Sequence, residues 1–149
     1  MAPPASSDVL PLIDQLVEQA YTFSAAMARW SAEVLAELEL TEALGDVLWQ
    51  LGAVSLAVPM RDLAGRLRCD PSNVTFLADR LEERGLVERR PDPSDRRVKL
   101  LALTPAGLAV RTRIVQAAAT SSPVARLSPA DQQRLCRLLG KCLPPKQPA

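Results

Sequence analysis

The sequence predicts a mainly helical chain with one small β-hairpin, an α+β fold of a single domain's size. Apolar residues recur at intervals of three and four along most of the 149 residues, which is the spacing of one face of an α-helix. Between Leu86 and Leu103 this spacing stops, and two short strand-like runs flank a charged segment. The composition is 48% hydrophobic but only 3% aromatic, which predicts a core of Leu, Val and Ala and no large aromatic-lined cofactor cavity.

Five helices are expected before the hairpin. Stripes of apolar residues define the first two helices, and the Thr41 side chain can cap the third. Pro59 can begin the fourth helix, because the N–H group that proline lacks has no partner in a first helical turn. Asp70 and Pro71 give the fifth helix a cap and a first-turn proline, and Gly85 closes it. The expected helices span residues 8–28, 31–38, 41–52, 59–69 and 70–85.

The fourth and fifth helices meet at a tight turn, which predicts a helix-turn-helix. In the fifth helix Val74, Leu77, Ala78 and Leu81 repeat at three and four and are expected to pack inward. The opposite flank then faces outward near the helix start, where such a motif enters the major groove of DNA and offers free N–H groups to phosphate. Six residues are predicted to lie on this flank and contact DNA: Ser72, Asn73, Thr75, Phe76, Asp79 and Arg80.

Residues 86–89 and 98–103 are predicted to form the two strands of the hairpin. We expect the two prolines of the connection to stiffen it and to keep it out of the strand pairing. Arg96 and Arg97 then project beside the second helix of the motif, where they suit phosphate and minor-groove contact. Asp95 would repel DNA, so it is expected to pair with a neighbouring arginine or to cap the turn. The whole is a winged helix-turn-helix.

Two more helices are expected after the hairpin, over residues 104–121 and 128–143, with Thr104 and Ser128 as their capping residues. The terminal helices carry more apolar surface than one small winged module needs. We expect a homodimer to bury it, and a monomer with a helical cap is the alternative. The predicted divisions are a flexible segment over 1–7, dimerisation helices over 8–40 and 104–143, a DNA-binding module over 41–103 and a tail over 144–149.

The net charge is only +1, but the charges are unevenly distributed. Residues 1–60 hold one basic and eight acidic side chains, residues 61–99 hold ten and eight, and residues 100–149 hold seven and one. If the terminal helices pack together, opposite charges meet there and the middle of the chain is left to face a polyanion. Two unrelated solvated faces are the alternative.

The residue types also exclude several classes of site. Three cysteines and no histidine predict neither a disulfide framework nor a Cys/His metal site, and no cofactor is expected. Cys136 and Cys142 lie too far apart on one helix for a bridge. We interpret these two and Cys69 as small apolar side chains, with redox sensing as the alternative. The N-terminus shows no export signal and no apolar run spans a membrane, so a cytoplasmic protein is expected.

Four segments of the central half of the chain resemble the MarR family of transcription regulators. The likeness is continuous over about residues 41–110, and the flanking helices agree with the family only in order and length. The segments that carry it are residues 70–75 (DPSNVT), 79–87 (DRLEERGLV), 95–97 (DRR) and 103–107 (LTPAG).

The resemblance implies a triangular homodimer whose terminal helices interlock and whose winged modules each bind half of a pseudo-palindrome. It places Arg97, supported by Asp95, at the family's wing-tip arginine, with Arg96 adjacent. It places four residues of the second helix at base-reading positions, where the family often has Arg or another polar residue instead of Phe76. We therefore expect Phe76 to be exposed and to contact thymine methyl groups; a core position is the alternative. The four are Ser72, Asn73, Thr75 and Phe76.

Many members of the family are released from DNA by phenolic compounds or by cysteine oxidation. The resemblance therefore implies a small phenolic or lipophilic effector, bound between the dimer helices and the winged module. Phe23, Met27 and Trp30 are the candidate wall residues, although core packing explains them equally well. With no histidine and no cysteine near the N-terminus, the chain departs from the peroxide-sensing branch, but Cys69 remains open to oxidation.

Two other functions are compatible with the same fold. Small O-methyltransferases carry a similar winged module, but here the glycines form no nucleotide loop and no pair of catalytic side chains is apparent, so we predict no enzyme activity. An adaptor that uses the winged helix only for protein contact is the other alternative. Fold alone does not separate an adaptor from a DNA-binding protein; the need for the wing arginines in binding duplex DNA does.

Overall fold

The structure, a computed structural model, describes residues 6–54 and 57–143. These residues form six α-helices, one short 3-10 helix and a three-stranded antiparallel sheet, which confirms the predicted mainly helical α+β fold. The helices are α1 (Ser6–Glu37), α2 (Glu42–Val54), α3 (Met60–Leu67), α4 (Pro71–Glu83), α5 (Pro105–Ser121) and α6 (Pro129–Cys142), with the 3-10 helix over Pro123–Arg126. The strands are β1 (Ala57–Pro59), β2 (Val87–Pro91) and β3 (Lys99–Leu103).

The N-terminal part is one helix of 32 residues, α1, where two helices were predicted. The predicted interruption after Ala28 is wrong because neither Arg29 nor Trp30 prevents helical backbone geometry. The predicted flexible segment and C-terminal tail lie outside the described residues, except for residues 6 and 7, which belong to α1.

The second helix, α2, passes through Gly52 to Val54, so Gly52 is not the helix stop that was predicted. A Cβ atom built on Gly52 would lie 1.6 Å from Nε of Arg111 on α5. The glycine therefore allows the arginine to lie against α2, where its guanidinium also stands 6.0 Å from the Trp49 ring. The predicted cap at Thr41 is present, because its hydroxyl oxygen accepts from the Leu44 N–H at 3.4 Å.

Helices α3 and α4 form the predicted helix-turn-helix. The turn between them begins at Arg68, whose φ of 52° is left-handed, and the Cys69 N–H then donates to the carbonyl oxygen of Ala64 at 3.2 Å. This closes α3 at Leu67, two residues before the predicted end. The predicted inward stripe of α4 is confirmed, since four of its residues are buried: Val74, Leu77, Ala78 and Leu81.

The sheet has the order β1-β3-β2, so β2 is an edge strand. Pro91 belongs to β2 and lies opposite Lys99, which corrects the prediction that the prolines stay outside the pairing. An edge strand tolerates proline because one row of its N–H groups needs no partner strand. Strand β1, with only three residues, was not predicted; it pairs with β3 on the other side and makes the hairpin part of a three-stranded sheet.

The core lies where α2 packs against the helix-turn-helix and the sheet. Thr104 joins the sheet to α5, because its hydroxyl accepts from the Gly107 N–H at 3.0 Å and donates to the carbonyl oxygen of Gly85 at 2.6 Å. The largest fully buried side chains are Leu48, Leu51, Leu63, Leu81 and Leu101. The same core holds the buried stripe of α4, so the packing of α2 against the helix-turn-helix and the sheet fixes where α4 and the hairpin lie.

The terminal helices remain largely uncovered. No described residue of α6 is buried, and the N-terminal half of α1 exposes a row of large apolar side chains. An open groove of about 420 Å³ lies between α1, the 3-10 helix and α6. The exposed apolar residues of the two helices include Leu10, Leu12, Ile13, Leu16, Val17, Leu138 and Leu139, and Leu143, directly after α6, is exposed as well.

Candidate nucleic-acid interface

One flank of α4 is exposed to solvent, opposite its buried stripe. The six residues that were predicted to contact DNA all lie on it and are all exposed, and we call them the reading flank: Ser72, Asn73, Thr75, Phe76, Asp79 and Arg80. They occupy the first three turns of the helix, which starts at Pro71. A helix start of this kind presents polar side chains and backbone N–H groups together.

Phe76 is 55% exposed, so it does not belong to the core. The guanidinium of Arg80 stands 5.5 Å from the centre of its ring, and one of the Arg80 nitrogens lies 3.5 Å from the carboxylate of Glu83. A flat apolar ring thus stands beside a cation one turn further along the helix. Thr75 donates its hydroxyl to the Pro71 carbonyl at 3.1 Å, which leaves its methyl group and a lone pair for an outside partner.

The wing tip, residues 92–98, is a turn held by its own acidic side chains. A carboxylate oxygen of Asp95 accepts from the Arg97 N–H at 3.0 Å, so Asp95 caps the turn, the second of the two roles predicted for it. Asp92 accepts from both the hydroxyl and the N–H of Ser94, and these hydrogen bonds hold the pKa of Asp92 below its usual value. Arg96 and Arg97 are exposed at this tip.

Arg89 on β2 connects the hairpin to the reading flank, and the sequence analysis did not single it out. Its guanidinium donates to the carboxylates of Asp79 at 2.6 Å and Glu82 at 2.5 Å, and to the carbonyl oxygen of Thr75 at 3.1 Å. Desolvation is the largest influence on the pKa of Arg89 and lowers it, but the bonds and charges of the two carboxylates together raise it above its ordinary value. No sequence spacing indicates this contact, because it joins a strand to a helix.

Arg84, the residue after α4, connects that helix to the end of α1. Its terminal nitrogens donate to the carbonyl oxygens of Glu39 at 2.5 Å and Leu38 at 3.1 Å. Glu39 has a left-handed φ of 55°, and the arginine therefore binds the turn in which the chain leaves the long helix. The position of α4 is therefore fixed from both the hairpin and the N-terminal helix.

The three candidate effector residues lie on one face of α1 but in different surroundings. Phe23 lines the open groove, together with Leu127, Leu135 and Leu138. Trp30 donates its indole N–H to the Ser121 hydroxyl at 3.0 Å, which ties α1 to α5. Met27, which lies between these two residues along α1, is half-buried. Of the three, Phe23 alone lines this groove.

The three cysteines lie in different surroundings. Cys69 packs at the edge of the core, whereas Cys136 and Cys142 are exposed, and all three are free thiols. Among residues 6–54 and 57–143 no three side chains are grouped so that they could hold a metal ion. In the same part of the chain, no helix has both the length and the apolar character needed to span a membrane.

Comparisons of the sequence and of the structure with known proteins both find members of the MarR family. The MarR family model matches residues 46–99, which contain the helix-turn-helix, β2 and the wing tip and end at the first residue of β3. A putative transcriptional regulatory protein for the hcr operon of Thauera aromatica is 38% identical over 79 residues, which are 52% of this chain and 48% of that protein. The chain thus spans about half the length of this curated relative.

Two solved structures match over most of the chain. A MarR variant from Escherichia coli in complex with operator DNA superimposes with a TM-score of 0.67 at 28% identity, covering 89% of this chain and 96% of the other. CouR from Rhodococcus jostii RHA1 bound to p-coumaroyl-CoA superimposes with a TM-score of 0.66 at 26% identity, covering 99% and 100%. The likeness therefore includes the terminal helices as well as the winged module.

Proposed function

Because this chain belongs to the MarR family, we propose that it is a transcriptional repressor that binds double-stranded DNA as a homodimer. The observation that carries the proposal is the exposed reading flank of α4 beside a wing tip with two exposed arginines. Each winged module contacts one half of a pseudo-palindromic operator. The protein acts in the cytoplasm by binding and catalyses no reaction.

The first turns of α4 supply the sequence readout. Asn73 and Ser72 stand at the helix start, where their side chains can exchange hydrogen bonds with base edges in the major groove. Phe76 is apolar and 55% exposed, so it suits the methyl group of thymine and not a hydrogen-bonding base edge. We expect the operator half-site to contain a thymine opposite Phe76.

The wing tip supplies affinity that depends little on sequence. Arg96 and Arg97 are exposed cations on a turn whose shape is fixed by Asp95 and Asp92. Such side chains bind phosphate groups and enter the narrow minor groove next to the site of the recognition helix. The carboxylate of Asp95 accepts a hydrogen bond from the backbone of the turn, so it is directed toward the wing tip itself.

The uncovered terminal helices supply the dimer interface. Leu16 on α1 is 52% exposed and Leu138 on α6 is 51% exposed, far more than the leucines of the hydrophobic core. The first 60 residues carry a large excess of acidic groups and the last 50 a large excess of basic groups, so interlocked termini also attract each other. An obligate interface of this kind buries more than about 2,000 Å².

A small phenolic or lipophilic effector that releases the protein from DNA completes the proposal. Support comes from the full-length likeness to CouR, whose structure holds p-coumaroyl-CoA. The open groove beside Phe23 is a place where an apolar group could enter the helices that join the two winged modules. Binding there would change the separation of the two reading flanks.

The test is a titration against palindromic duplexes taken from upstream of the protein's own gene, at two salt concentrations. Arg97→Ala is expected to weaken binding to every duplex and to lower the salt slope by about one, because one phosphate contact is lost. Asn73→Ala is expected to change the preference among duplexes, with a loss of about 1 to 3 kcal/mol on the best one. Affinity is read from fluorescence anisotropy.

Arg113→Ala is the matched control for the wing arginine, because Arg113 is an exposed cation on α5, outside the wing and α4. It should leave both affinity and salt slope near those of the wild type. Affinity that is absent or insensitive to salt would favour the adaptor function over DNA binding. Equal effects of Arg97→Ala and Arg113→Ala would remove the wing from the interface.

A further inference from the structure

Arg89 makes more contacts with α4 than a surface ion pair does. Its two terminal nitrogens reach the carboxylates of Asp79 and Glu82 and the carbonyl oxygen of Thr75, and its backbone N–H donates to the other carboxylate oxygen of Glu82 at 3.1 Å. One residue of β2 therefore binds two turns of the helix through four hydrogen bonds. We call Arg89 with these three partners the brace.

Within the brace, the side chain of Arg89 is more enclosed than those of its neighbours on the strand. The side chain of Arg89 is 25% exposed, whereas Arg90, the next residue, is exposed. Alternation along a strand places these two arginines on opposite faces of β2, so only the first faces α4. Planar guanidinium groups can hold several acceptors at fixed angles, which makes this contact directional as well as electrostatic.

The acidic members of the brace lie beside the residues that would meet DNA. Asp79 follows Phe76 by three positions and Thr75 by four, so its carboxylate stands on the same flank of the helix and is 53% exposed. Glu82 is 41% exposed one turn further on. Two uncompensated carboxylates at this place would repel the phosphate backbone at the close range of a bound complex.

We infer that Arg89 is a positioning residue for DNA binding, which locks the wing to the recognition helix and neutralises Asp79 and Glu82 there. Its terminal nitrogens are committed to α4, so it acts through the surface it organises and not as a phosphate contact. Asp79 belongs to this brace and is not a base-reading residue. The inference rests on the proposed DNA-binding function. Specificity then depends on the fixed position of the wing relative to α4, and affinity depends on the neutralised charge of Asp79 and Glu82.

The test compares Arg89→Gln with Arg90→Gln, which removes the same charge from the other face of the strand. Arg89→Gln is expected to weaken operator binding roughly tenfold more than Arg90→Gln does, and to reduce the ratio of operator to random-duplex affinity. Arg90→Gln should leave that ratio unchanged. Circular dichroism and the melting temperature establish that each variant is folded before binding is measured.

A second comparison separates charge from geometry. Adding Asp79→Asn and Glu82→Gln to Arg89→Gln removes the two carboxylates, so affinity for random duplex and its salt slope are expected to return to the wild-type range. Discrimination between operator and random duplex should stay low, because nothing locks the wing to α4. Full recovery of discrimination in this triple variant would overturn the positioning role.

A measurement without DNA completes the test. In the free protein, Arg89→Gln is expected to speed hydrogen exchange of the wing-tip amides of Arg97 and Val98 at least severalfold, while Arg90→Gln leaves them unchanged. Equal exchange and equal DNA affinity for the two variants would overturn the inference. If the wild type binds no duplex, the proposed function fails, and exchange alone then decides whether the brace locks the wing.

Discussion

The first turn of α5 runs so close to the sheet that Gly107 has no room for a side chain. A Cβ atom there would stand 1.8 Å from the carbonyl oxygen of Leu86, a backbone atom that also accepts from the Thr104 N–H at 3.1 Å. Because backbone cannot swing aside as a side chain can, we expect Gly107→Ala to lower the free energy of unfolding by about 3 kcal/mol or more. Urea denaturation measures it.

Gly65 is the matched position for this prediction, because a Cβ atom there meets nothing within 4 Å. It lies inside α3, where alanine is favoured over glycine by about 0.5 to 1 kcal/mol, so Gly65→Ala is expected to stabilise the protein by that amount. If both substitutions destabilise the protein equally, the close approach at Gly107 does not explain its effect.

Single residues were predictable where one helix alone decides their environment. The stripe Val74, Leu77, Ala78 and Leu81 is buried as its spacing indicates, and Phe76, off that stripe, is exposed. Arg89 escaped prediction because its partners lie seven and ten residues away in another element. Gly52 was misinterpreted for a related reason, since the arginine that requires it stands on α5.

At the scale of elements, α4 is connected to α1 by Arg84, which binds two carbonyl oxygens at the end of the long helix. Arg84→Ala leaves those oxygens without their charged donors, so we expect a loss of about 1 kcal/mol of unfolding free energy. Arg80→Ala, on α4 itself, removes only a contact with Phe76 and an exposed ion pair, and should cost less than about 0.5 kcal/mol. Chemical denaturation of both variants, at equal protein concentration, tests the difference.

Element types were predicted better than element limits. Apolar periodicity identified every α-helix region and both hairpin strands, because each is long enough to show a period. Strand β1 has three residues and the 3-10 helix has four, which is too short for any period to appear. The division of α1 into two helices was wrong because the backbone continues as one helix from Ser6 to Glu37, through Arg29 and Trp30.

At the scale of the molecule, the proposed dimer predicts that a charge in the apolar face of α6 separates the subunits. Leu138→Glu places a carboxylate in the groove beside Phe23 and is expected to give a monomer with at least a hundredfold weaker operator binding, because linked half-sites no longer reinforce each other. Gln133→Glu adds the same charge on the opposite face of α6 and should leave a dimer. Light scattering after gel filtration measures the mass. A dimer that persists in Leu138→Glu would contradict this interface.

The two tryptophans stand where α5 meets α1 and α2. The Trp30 indole N–H is bonded to Ser121 between α1 and α5, and the Trp49 ring lies beside the Arg111 guanidinium between α2 and α5. Indole emission responds to hydrogen bonding and to a nearby cation, so each ring reports on its own helix pair. A movement between the subunit-joining helices and the winged modules would therefore change the colour or intensity of the protein's intrinsic fluorescence. Effector binding can therefore be screened by tryptophan fluorescence, without any added dye.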